Sequence, residues 1–124
     1  MNKVIAVDFD GTLCENKWPR IGRPNYKVIN YLRKEKKKGS KLILWTCRSD
    51  DRLRDAIDWC KKNGLEFDAI NENLKEIIDV FGSDSRKIFA HEYIDDKANV
   101  SFKLPFGNIN GRRRKNIYKR RIKN

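Results

Sequence analysis

The sequence holds one histidine, one methionine, three prolines and three cysteines in 124 residues. Cys14, Cys47 and Cys60 are odd in number and lack paired spacing, so no disulfide framework is expected. His91 stands alone and there is no C-x-x-C pair, which argues against a zinc site. No apolar run approaches the roughly 20 residues that cross a bilayer, and no membrane role is expected. The N-terminus lacks a secretory pattern: a short strand-like run follows Lys3 and leads straight into acids. The expected location is cytoplasmic.

Charge is what the chain has in quantity. Charged residues make up 37% and hydrophobic ones 39%, with a net charge of +12. That excess is uneven. Residues 112–124, RRRKNIYKRRIKN, hold eight Lys or Arg and no acid, and the remainder holds 21 basic and 17 acidic residues. The length suits one domain with one core. Residues 1–104 read as that domain, and 105–124 as a basic C-terminal extension with little apolar pattern. The extension, at 112–124 above all, is a candidate arm for nucleic acid.

Hydrophobic patterning places the elements. Lys3–Val7 reads as a buried strand, since VIAV is continuously apolar and partly β-branched. Asn25–Lys38 reads as a helix preceded by Pro24, with Val28, Ile29 and Leu32 on one stripe and Gly39 as its stop. Lys41–Trp45 is a second buried strand. Ser49 or Asp50 can cap a helix carrying Leu53, Ala56, Ile57 and Cys60, closed by Gly64. Phe67–Ile70 is a weak third strand. Asn73 can cap a short helix with Leu74, Ile77, Ile78 and Phe81. Ile88–Ala90 and Glu92–Ile94 then flank His91, which reads as structural. The alternation predicts an α/β fold: an open parallel sheet with helices on both faces, Rossmann-like. Trp45 and Trp59 are expected in the core, and Trp18 and Arg20 either in a flap over the site or in a plain surface loop.

In such a sheet, ligands bind beyond the carboxyl ends of the strands. Asp8 and Asp10 follow the first strand, Thr46 the second, and Asp95 and Asp96 the last. Carboxylates gathered at one edge repel and raise one another's pKa. A hard cation relieves that cost, and Mg2+ suits an all-oxygen site shared with substrate phosphate.

DFDGT at 8–12, WTCR at 45–48, Lys87 and YIDD at 93–96 together resemble the haloacid dehalogenase-like (HAD) superfamily of phosphotransferases, in the right order over roughly residues 1–102. The resemblance implies a phosphomonoester phosphatase working through an aspartyl phosphate, with Asp8 as nucleophile and Asp10 as general acid and base. It implies that Thr46 binds a phosphoryl oxygen and that Lys87 neutralises charge on Asp8. Cys47 and Arg48, in the same loop as Thr46, join it and Lys87 as candidate substrate-binding residues, although the Cys47 thiol itself reads as filler. The implied Mg2+ ligands are Asp8, Asp10 through its carbonyl, and the acidic pair, with Asp96 in direct contact and Asp95 orienting waters or Lys87. About a dozen residues separate the first motif from the first helix, too few for the cap domain of many relatives. A capless site suits bulky phosphorylated substrates and disfavours a phosphomutase. The alternative function is a nucleic-acid-binding protein on this scaffold, or a phosphatase of nucleotide or polynucleotide ends that uses the tail.

Overall fold

In the computed structural model, which describes residues 3–98, the run VIAV forms β1 (Val4–Val7), buried along its whole length. β4 (Lys41–Leu44) pairs with it in parallel on one side and β6 (Glu92–Ile94) on the other. β5 (Ala69–Ile70) extends the sheet beyond β4, giving the order β5-β4-β1-β6. Three helices, α1 (Tyr26–Lys37), α2 (Asp50–Lys62) and α3 (Lys75–Phe81), make the crossovers. The expected open α/β sheet is observed. The basic extension and the nucleic-acid role assigned to 112–124 lie outside the described residues.

The pleat of β1 sorts its side chains between two cores. Ile5 and Val7, with Leu42 and Leu44 of β4, pack against Ile29 and Leu32 of α1 and Ala56 and Cys60 of α2. Val4, Ala6 and Ile43 turn the other way, onto Leu74, Ile88 and, from α3, Ile77. Both faces are thus covered, which is why these strands are apolar runs and not alternating ones. Truncating Leu32 to Ala would cost about 2–5 kcal/mol, as for any fully buried leucine. Trp59 meets Phe9 edge-on at 5.4 Å, and Trp45 tilts against Tyr93 at 5.7 Å. All three cysteines are free thiols, and burial pushes Cys60 up to about 12. No helix among the described residues is long and apolar enough to cross a membrane.

Four local readings change. The segment after β1 is no plain loop: β2 (Cys14–Lys17) and β3 (Arg20–Pro24) form an antiparallel hairpin, with Trp18 and Pro19 at its turn. The third strand shrinks to two residues: at Asp68 the backbone N–H still donates to the Leu42 carbonyl, but the Leu42 N–H goes to the Asp68 side chain, whose Oδ2 accepts it at 2.8 Å. Asn73 does not cap α3. Its buried side chain donates to Asp84 Oδ1 (2.9 Å) and accepts from the Phe89 N–H (2.7 Å), pinning residues 84–89 to the start of the helix. Ile88–Ala90 is no strand, since Tyr93 Oη occupies the Ile88 carbonyl and the Ala90 N–H. His91 is structural, as expected: its Nδ1 accepts the Val4 N–H at 2.9 Å.

Candidate active site

Val7 pairs with Leu44 on one side and Ile94 on the other. The next residue of each strand, Asp8, Trp45 and Asp95, therefore emerges at the same level of the sheet. Two backbone bonds hold that edge: the Asp8 N–H donates to the Ile94 carbonyl and the Trp45 N–H to the Val7 carbonyl, both at 2.9 Å. β1 lies between β4 and β6, where the order of strands reverses, so its carboxyl end opens on the crevice that binds ligands in such sheets.

Asp8, Asp95 and Asp96 each bring a carboxylate oxygen to this point, all within 4.8 Å of one another. Asp8 is half-buried and the other two are exposed. Burial, then the negative charge of Asp95, with Asp96 adding, pushes Asp8 from 3.8 up to about 7 against the opposing Thr12 hydrogen bond. Three acidic oxygens so close together could hold a hard divalent cation.

The turn after β1 builds the floor of the cluster. Thr12 Oγ1 donates to Asp8 Oδ2 at 3.1 Å and accepts the Asp96 N–H at 3.0 Å, so one hydroxyl registers two of the three acids. Gly11 has φ +89°, and a β-carbon there would collide with the Asp96 carboxylate. Thr12 and Gly11 were legible only as parts of a motif; the four-residue step from Asp8 to Thr12 is the signal that such a contact follows when the strand ends in a tight turn.

Arg48 is placed otherwise than expected, and the Asp10 carboxylate is turned toward it. The Asp10 carboxylate is not in the acid cluster. Arg48 takes both its oxygens, Nε to Oδ2 and Nη2 to Oδ1, each at 2.8 Å. Arg48 is 2% exposed, so it lines no substrate surface. It points inward because its flat guanidinium fits between the rings of Phe9 and Trp18, with its N–H groups satisfied by Asp10 and two carbonyls. Donating to the Asp10 carboxylate raises the Arg48 pKa.

Thr46 stays at the edge. Its N–H donates to Asn71 Oδ1 (2.7 Å), and its Oγ1 accepts the Arg48 N–H (3.1 Å), which leaves the hydroxyl proton free to donate. Asn71 holds this loop from a left-handed conformation, φ 56°, a role that no spacing in the sequence announced. Cys47 is exposed beside it. Lys87 is not brought into the cluster. It is exposed on the segment pinned by Asn73, and it forms no ion pair with any residue among those described, so Asp95 does not orient it. Ile88 next to it fills the core and fixes the strand approach in its place. Asp95 instead accepts the Lys97 N–H at 2.9 Å while sharing the cluster with Asp96.

No protein-family model matches the chain, and no curated protein matches it. A solved structure of a conserved protein from Bacteroides thetaiotaomicron is similar, at 40% sequence identity and a TM-score of 0.69, over 79% of this chain and 78% of that one.

Proposed function

The chain belongs to the family of that conserved Bacteroides thetaiotaomicron protein, and for this chain we propose a phosphomonoester phosphatase of the HAD type, dependent on Mg2+. The observation that carries the reading is the meeting of Asp8, Asp95 and Asp96 within 4.8 Å at the carboxyl edge of a parallel sheet. Such crowding serves no packing purpose, and it leaves Asp8 half-protonated near pH 7 until a cation relieves it.

Asp8 attacks phosphorus. The bond to the leaving oxygen breaks, and Asp10, which enters the step protonated and released by one prong of Arg48, gives that oxygen a proton. Water then attacks the phosphorus of the aspartyl phosphate, Asp10 takes its proton, and phosphate leaves with Asp8 restored. Thr46 donates its free hydroxyl proton to a phosphoryl oxygen. Asp8, Asp95 and Asp96 would hold the cation, which when bound supplies charge compensation for the phosphoryl group. The HAD resemblance adds the Asp10 carbonyl to its ligands. Lys87 carries no part of this reading. A cytoplasmic location belongs to it, in keeping with three free thiols.

The test is turnover of an aryl phosphate with Mg2+ and with EDTA. Hydrolysis stops in EDTA, Asp8→Asn and Asp10→Asn each lose at least ~10³-fold in kcat, and beryllium fluoride is trapped on Asp8 alone. Undiminished turnover in EDTA, or no turnover of any phosphate ester with Mg2+, would overturn the reading.

A further inference from the structure

We infer that Arg48 is a positioning residue that couples the β2–β3 hairpin to Asp10, so that the carboxylate serving the leaving group is aimed by the hairpin's seat on the sheet. The inference rests on the phosphatase reading for its chemical consequence. The coupling itself stands on contacts.

Arg48 touches four parts of the molecule at once. Its Nε and Nη2 clamp both oxygens of Asp10 in the turn after β1. The same Nη2 donates to the Arg20 carbonyl of β3 at 3.1 Å, and Nη1 donates to the Arg52 carbonyl of α2 at 3.3 Å. Its backbone N–H is held by Thr46, the residue assigned to the phosphoryl group. The guanidinium lies 5.0 Å from the centroid of Phe9 in the core and 4.9 Å from that of Trp18 at the hairpin turn. Trp18 is 56% exposed, so the cation is its seat on the domain and not a hydrophobic pocket.

A buried ion pair adds little net stability over an apolar pair of the same shape. What a two-pronged clamp does supply is direction, because the planar fork fixes the carboxylate plane. With both oxygens engaged, the ionised Asp10 has one orientation for as long as Arg48 is held, and when a proton frees one oxygen the remaining prong still sets the plane of the carboxyl group. Arg48 in turn is held on its open side by Trp18 and the Arg20 carbonyl. Displacing the hairpin removes one ring and one acceptor, and the clamp loosens with it.

Two substitutions separate aim from mere structure. Arg48→Lys keeps the charge and loses the fork and the stack. Trp18→Ala removes an exposed ring and leaves the core alone, so it carries the test should Arg48→Lys fail to fold. Each is assayed on an alkyl phosphate, whose leaving oxygen needs a proton, and on p-nitrophenyl phosphate, whose leaving group hardly does. Arg48→Lys lowers kcat on the alkyl ester by roughly 10²-fold and on the aryl ester by less than about 10-fold. Trp18→Ala shifts the ratio the same way by a smaller factor, and KM stays near wild type in both. Equal losses on the two esters, or none, would overturn the inference. A second readout does not need turnover. In protein labelled with 5-fluorotryptophan, Asp10→Asn moves the fluorine signal of Trp18 and leaves that of Trp45 in place, since Trp45 packs on Tyr93 away from Arg48. An unmoved Trp18 signal means that no coupling exists. Wild-type protein that hydrolyses neither ester brings down the phosphatase reading alone, while the fluorine signal still decides the coupling.

Discussion

The carboxylate of Asp96 rests against the bare α-carbon of Gly11, where a β-carbon would stand 2.8 Å from Asp96 Cγ. The two residues come from opposite ends of the domain, and the space between them has no room for a methyl group.

Gly11→Ala meets two obstacles at once, a left-handed φ and a collision with one of the three clustered acids. Its backbone strain alone costs about 1–2 kcal/mol, and moving Asp96 away disperses the acid cluster. The variant is expected to melt several degrees lower and to lose at least ~10²-fold in Mg2+-dependent turnover. Thermal melts with and without Mg2+ check both parts. A variant that melts lower and yet gains as much from Mg2+ as the parent would show that Asp96 does not need this contact.

The second prediction is a pH dependence. The folded pKa of Asp8, about 7, lies above its unfolded value of 3.8, so the fold favours the neutral acid. The resulting stability is fully present below about pH 4 and is lost as pH rises through 7. Metal-free protein should therefore grow less stable between pH 4 and 8. Mg2+ should raise the melting temperature more at pH 8 than at pH 5. Asp8→Asn should be more stable than the parent at pH 8 without metal and should gain nothing from Mg2+. Melting curves across this range decide it, and a Mg2+ effect independent of pH would contradict it.

The third prediction concerns the basic run 112–124. If it follows a phosphate backbone, the affinity of the full chain for single-stranded oligonucleotides falls steeply with salt, and a 1–111 chain shows a flatter slope. Aryl-phosphate turnover stays, because every assigned acid lies between Asp8 and Asp96. Equal slopes in the two chains would mark the run as a solubility feature.

Much of the scaffold was legible because burial writes itself as periodicity. β1 and β4 are buried on two faces and read as apolar runs; α1 and α2 bury one stripe each and read at helical spacing. The hairpin was not legible, because CENK and RIGRP carry no alternation and are joined across the strands by an exposed Glu15–Arg23 pair. The convergence of Asp8, Asp95 and Asp96 followed from parallel topology alone. The direction of Arg48 did not, since which way a loop arginine turns depends on the cavity awaiting it, here the gap between Phe9 and Trp18. Lys87 was assigned by order along the chain, whereas its place is decided by Asn73 and Ile88, whose tertiary contacts no local pattern encodes.

The shorter of the two strands that flank β1 leads straight into two of the three clustered acids. β6 has three half-buried residues, and it reaches β1 only after nearly the whole described chain has been laid down. Its pairing closes the longest loop of the sheet, which makes it the least local and most costly contact in conformational entropy. Undocking of β6 would scatter the acids while the cores under α1 and α2 stay intact. Any ligand held jointly by Asp8, Asp95 and Asp96 must then be linked to the docking of this strand: its binding energy appears as slowed amide exchange at Tyr93 and Ile94, far out of proportion to its effect on the rest of the sheet.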